Sequence, residues 1–155
     1  GDTSAHIVAK QINYDWTRGA DGSLMGTVQL LSNSVGLEWG ELVTAGKITL
    51  SSAGSTVGSV AGAGTSNGCA AVLHVFSLSS GTPTFKVQHS SDTSNGSDGS
   101  WSDLITFTIQ AQGVERLSAS GTCSKGLRIT STGTFSNAVI AVTLRRGEST
   151  DVEGY

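Results

Sequence analysis

Apolar and polar side chains alternate one for one through run after run of this chain. Between residues 6 and 16, Ile12, Tyr14 and Trp16 interleave with Gln11, Asn13 and Asp15. Further on, Phe85, Val87 and His89 interleave with Lys86, Gln88 and Ser90, and Ile105, Phe107 and Ile109 with Thr106, Thr108 and Gln110. Successive side chains of an extended strand point to opposite faces, so this period predicts strands with one face on a core and the other toward water. The expected fold class is therefore all-β: an antiparallel β-sandwich, Ig-like or jelly-roll-like, preceded by a long β-hairpin.

The hairpin is expected over residues 6 to 31. Arg18-Gly19-Ala20-Asp21-Gly22 supplies turn residues, and Leu24, Gly26, Val28 and Leu30 resume the strand spacing. From Ser32 to Lys47, Leu37, Trp39 and Leu42 fit neither template, and Gly36, Gly40 and Gly46 interrupt the run. That stretch reads as an irregular arm that covers a sheet edge or docks on another subunit. Eight short strands follow, at Lys47–Ser51, Thr56–Val60, Cys69–Leu78, Thr84–Ser90, Trp101–Ile109, Val114–Ser118, Gly126–Ser131 and Ala138–Arg145. Strands of this number and spacing close two sheets over one core. In the last of them Ile140, Val142 and Leu144 oppose Val139, Ala141 and Thr143, and two apolar faces predict a central or interface strand. The organisation expected is an assembly element over 1–47, a sandwich over 48–147 and a C-terminal tail over 148–155.

Composition narrows the function classes. Nine Lys and Arg stand against twelve Asp and Glu, for a net charge of −3, and only Arg145 and Arg146 are adjacent cations. No basic stripe awaits a phosphate backbone, so direct nucleic-acid binding is not expected. No apolar run approaches the roughly 18 residues that span a bilayer, so no membrane association is expected. Cys69 and Cys123 are too few for a disulfide framework in 155 residues; buried free thiols are the expectation and a single disulfide the alternative.

Chemistry-bearing residues do not converge. His89, Ser90 and Asp92 are sequence neighbours, but the strand period sends His89 and Ser90 to opposite faces, against a hydroxyl activated by imidazole. His6, His74 and His89 lie on separate runs without metal-ligand spacing. The loop from Asp92 to Gly99 carries oxygen ligands but departs from the calcium-loop spacing, and reads as a solvated turn. Phosphate-cradling glycine motifs are missing. No enzyme activity, no cofactor and no metal are expected.

The sentence Phe85-Lys-Val-Gln-His-Ser-Ser-Asp92, a polar loop, and then Trp101-Ser-Asp-Leu-Ile-Thr-Phe-Thr108 resembles the C-terminal β-sandwich of tail tube (major tail) proteins of actinobacterial phages and related virion proteins. The likeness continues through Gly113-Val-Glu-Arg-Leu117, Gly126-Leu-Arg-Ile-Thr130 and Ala138-Val-Ile-Ala-Val-Thr-Leu-Arg-Arg146. Residues Ala5 to Trp39, including Gly36-Leu-Glu-Trp-Gly40, resemble the latter part of the tube-forming domain that precedes that sandwich. Such proteins carry an earlier half that this chain lacks, so it is either a fragment or a smaller virion component such as a capsid decoration protein. The resemblance implies a non-enzymatic subunit of the virion, in the tail or on the capsid surface, assembled in the host cytoplasm. Its partners would be copies of itself, in a ring or tube, or other virion proteins, and its outward sandwich would meet surface carbohydrate. Ile12, Tyr14, Trp16, Leu37, Trp39 and Leu42 are the expected interface residues. The competing class is a carbohydrate-binding β-sandwich module that works as a monomer.

Overall fold

Two strands of more than twenty residues each dominate the computed structural model, which describes residues 2–32, 36–54, 56–60, 63–93 and 98–148. They are β7 (Cys69–Ser90) and β10 (Gly126–Arg146), antiparallel to each other along nearly their whole length. Around them lie β1 (Thr3–His6), β4 (Glu38–Leu42), β5 (Ile48–Leu50), β6 (Thr56–Val60), β8 (Ser102–Thr106) and β9 (Gly113–Ala119), while β2 (Ala9–Arg18) and β3 (Leu24–Ser32) form a separate two-stranded sheet. The chain is all-β and antiparallel, with no helix among the described residues. It divides into a larger unit of Gly1–Ser4 with Trp39–Tyr155 and a smaller unit of Ala5–Glu38.

The long ribbon carries two sets of neighbours. Its first set places β6 against residues 126–130 of β10 and β8 against residues 86–89 of β7. Its second set places β5 and β4 against residues 138–144 of β10 and β9 against residues 69–75 of β7. Both halves of the ribbon are thus central strands, each between two others, and their inward side chains form one cluster. Phe85, Val87, Leu127 and Ile129 of the first half and Leu73, Val75, Ile140 and Leu144 of the second are all essentially inaccessible to water. Burying a side chain of this size is worth about 1.5–3 kcal/mol, which holds the two halves together as the layers of a sandwich.

Four of the expected short strands are therefore two long ones. Ser79-Ser-Gly-Thr-Pro83 reads as a turn, yet Ser80 to Thr84 pair with Thr132 to Ser136 and carry the ladder on without a break. Gly81 and Gly133 take φ of 91° and 86° there, a region open to glycine at little cost. Pro83, which has no N–H to give, lies where neither β8 nor β9 flanks β7, so no third strand is deprived of a donor.

The expected irregular arm also acquires a strand. Residues 41 and 42 of β4 pair with Leu144 and Thr143, and a Cβ on Gly40 would stand 2.4 Å from the Leu144 carbonyl oxygen. Only glycine lets the backbones approach so closely, which is why this strand lacks an apolar period. Between β4 and β5 the ladder is completed from outside it: Val43 N–H donates to Val142 O at 2.9 Å, and the buried Thr44 hydroxyl oxygen accepts from Val142 N–H at 3.1 Å.

The open end of the sandwich is stitched by the two connections that cross it. Thr65 and Cys123 exchange both backbone hydrogen bonds, at 2.9 and 2.8 Å. Arg146 gathers the second connection: Nη1 donates to Ser124 O at 2.7 Å and Nη2 to Lys125 O at 3.0 Å, while Nη2 also pairs with Glu41 at 2.9 Å. The tail expected beyond residue 148 lies outside the described residues.

Candidate assembly surface

In the hairpin unit, β2 and β3 pair from Ala9↔Ser32 to Arg18↔Leu24. Asp21 Oδ1 accepts from the Ser23 amide at 3.0 Å and from the Ser23 hydroxyl at 2.7 Å, and Gly22 takes φ of 85°, so the turn falls where the sequence places it. The register slips once, between Gln11 and Asn13, which leaves Ile12 as the extra residue of a bulge.

That register decides which side chains share a face. Tyr14 is opposite Val28 and Trp16 opposite Gly26, while Leu30 and Leu24 continue the same side of β3 by the strand period. Tyr14 and Trp16 meet edge to face with ring centroids 5.2 Å apart, and a Cβ on Gly26 would lie 3.0 Å from the Trp16 ring, so the indole lies across the glycine. The other face carries Asn13, Asp15 and Thr17 opposite Gln29, Thr27 and Met25. The result is a ribbon with an aromatic and aliphatic side and a mainly polar side.

Within the hairpin unit nothing covers either side. Ile12, Tyr14, Trp16, Leu24, Val28 and Leu30 are 49% to 64% exposed, and every residue of both strands except Ala9 is exposed. The sequence period predicts a half-buried strand; the period is present and the burial is not. Within the unit, His6 Nε2 and the buried Glu38 carboxylate are 3.0 Å apart.

Tyr14 and Trp16 thus share a face with Leu24, Val28 and Leu30, while Ile12 lies at the bulge, exposed but without a partner in the register. The strand spacing of the three β3 residues was visible in the sequence, but their alignment with the β2 face needed the register of the turn. Leu37 and Trp39 are more than half exposed and Leu42 is partly buried; Trp39 and Leu42 belong to β4 and to the sandwich unit.

Residues with catalytic potential are engaged elsewhere. The Ser90 hydroxyl donates to Asp92 Oδ1, and the His89 Nδ1 accepts from the Ser124 amide at 3.1 Å. Burial, reinforced by the positive charge of Arg146, holds the His89 pKa below its ordinary value. No group of three His, Cys, Asp or Glu side chains suited to a metal occurs among the described residues; residues 94–97 of the loop weighed for calcium lie outside them. Trp101 lies under the Arg128 guanidinium, 4.4 Å from the ring centroid, and its Nε1 donates to Asp98 O at 2.9 Å. Beside them Asp103 accepts from Lys86 at 2.7 Å and Gln88 at 2.6 Å, and these two bonds hold its carboxyl below the ordinary carboxylate value.

No protein-family model, no curated protein and no solved structure matches the chain.

Proposed function

We propose that this chain is a non-enzymatic structural subunit of a bacteriophage virion, of the tail tube or tail-associated kind, that acts by self-assembly through its hairpin. The observation that carries the reading is the apolar face of Tyr14, Trp16, Val28 and Leu30, which nothing in the hairpin unit covers, on a sheet of only two strands. An isolated two-stranded hairpin is marginal in water, and a third strand or a packed face is what stabilises it. The resemblance of Ala5–Trp39 to the latter part of a tube-forming domain names the occupant: another copy of the same chain.

Assembly then satisfies two needs at once. Strand addition at the margins of β2 and β3 gives the outward N–H and C=O groups partners, and face-to-face burial of a side chain such as Trp16 or Leu30 contributes about 1.5–3 kcal/mol each. The hairpin unit carries Lys10 and Arg18 against Asp15, Asp21 and Glu38, so copies meet without a large like-charge penalty. Closure of the strands into a ring would remove every open margin, and the acidic balance of the chain suits a conduit that repels DNA phosphates. The sandwich would be the outward domain.

Light scattering across a concentration series, combined with electron microscopy, tests this. Species that grow with concentration and appear as rings, tubes or shell-bound copies are expected. A monomer at every concentration would overturn the reading and favour a module that binds its ligand, such as carbohydrate, singly.

A further inference from the structure

Cys69 opens β7 and Cys123 lies in the connection that returns the chain to β10, and both sulfurs are sealed from water in the core cluster. Cys69 is paired across the ladder with Arg146, so the two side chains rise from the same face of the sheet. The same guanidinium reaches the second cysteine: Arg146 Nη1 stands 3.1 Å from the Cys123 sulfur. That guanidinium is itself held by Glu41, Ser124 and Lys125, so it is positioned independently of the thiols. Two cysteines of an otherwise cysteine-free chain therefore lie beside one fixed cation at the open end of the sandwich.

We propose that Cys69 and Cys123 are a redox pair that closes to an intramolecular disulfide when the chain meets a disulfide oxidant of the glutathione class, locking the crossing connection onto β7. The asymmetry of the pair sets the order of events. The Cys123 sulfur takes the direct contact from the Arg146 guanidinium, which favours its thiolate, and its pKa is lowered, whereas the neighbouring Cys123 and burial push the Cys69 thiol up. The Cys123 thiolate attacks one sulfur of the oxidant, forming a mixed disulfide and releasing the first glutathione as thiolate. The Cys69 sulfur then attacks the Cys123 sulfur, forming the Cys69–Cys123 bond and breaking the mixed one. The second glutathione leaves as thiolate and takes the Cys69 proton. Two protein thiols are oxidised by two electrons, and one oxidant disulfide is reduced to two thiols.

Access would come from the surface next to Cys123. A cleft of about 360 Å³ is lined by Thr65, Thr122, Ser124 and Lys125, the residues that flank Cys123 and bridge to it. Two backbone hydrogen bonds to Thr65 hold Cys123 in place beside this cleft, and local opening of that bridge is the proposed route by which the oxidant reaches the sulfur.

The test treats the reduced full chain with oxidised glutathione under native conditions, quenches with N-ethylmaleimide in denaturant and reads the intact mass. The expected product is monomeric on a non-reducing gel, carries no maleimide, and is about 2 Da lighter than the reduced chain. Its thermal midpoint should rise by roughly 5–15 °C, because the bond closes a long loop in the unfolded chain. Cys69→Ser should stop at a glutathione adduct on Cys123, whereas Cys123→Ser should stay largely unmodified. Two maleimide adducts, a persistent glutathione adduct on the wild type, or covalent dimers would each overturn the proposal, and the wild-type measurement decides it whether or not the variants fold.

Discussion

Gly81 crosses the ladder so close to Thr134 that a Cβ added to it would lie 2.1 Å from the Thr134 carbonyl oxygen. This close approach falls in the stretch of the β7–β10 ribbon that lies between its two sets of neighbours, where neither β8 nor β9 flanks β7. Gly81→Ala combines that clash with a φ of 91°, which a side chain rarely adopts. It is expected to destabilise the fold by about 2–4 kcal/mol, read from chemical denaturation. Gly22→Ala, at a similar φ but with open space around it, should cost less.

Thr44 tests whether the gap between β4 and β5 is closed by a side chain. Its hydroxyl accepts from Val142 N–H and donates to Gly46 O at 2.7 Å. Thr44→Val keeps the shape and leaves a buried N–H without its acceptor, so a loss of about 1–3 kcal/mol is expected. Thr44→Ser, which retains the oxygen, should recover a large part of it in the same denaturation experiment.

The proposed assembly face makes a prediction with two readouts. Trp16→Ser together with Leu30→Ser should weaken self-association by at least about tenfold, measured by sedimentation, because each removes a large apolar contact. Thermal unfolding of the sandwich should stay within about 0.5 kcal/mol of the parent, since both side chains are exposed in the single chain. Equal association by the variant and the parent would remove this face from the interface.

His89 predicts a pH dependence. Its folded pKa lies below the ordinary 6.5, held there by burial and by Arg146, and its Nδ1 accepts from Ser124 only when neutral. Unfolding therefore takes up a proton below that value. The contribution is fully present above about pH 6.5 and is lost as pH falls toward the folded pKa. His89→Gln is expected to flatten this limb of the stability profile between about pH 7 and 5, followed by denaturant midpoints at each pH.

The chemistry of the alternating runs was legible because a strand's two faces are written in consecutive residues. Phe85, Val87, Ile105 and Phe107 are in the core as the period requires, Ile140, Val142 and Leu144 are buried on a central strand, and the turn at Asp21-Gly22 is where its residue types place it. The continuity of β7 and β10 was not legible. Ser79-Ser-Gly-Thr-Pro83 has the composition of a loop, and only a partner strand paired alongside makes it part of a ladder. β4 was hidden for a related reason, because Gly40 is selected by the nearness of Leu144 and not by a face.

By itself, then, the sequence determined the strand period, the turns and which side chains seek burial, since these depend on neighbours one or two positions away. Tertiary structure alone decided that one continuous ribbon supplies the middle of both layers. It also set the Arg146 guanidinium against Cys123 and paired Arg146 with Cys69, and it gathered Tyr14, Trp16, Val28 and Leu30 on one face of the hairpin. Each of these depends on contacts between residues far apart in the chain, and spacing along a single strand carries no record of them.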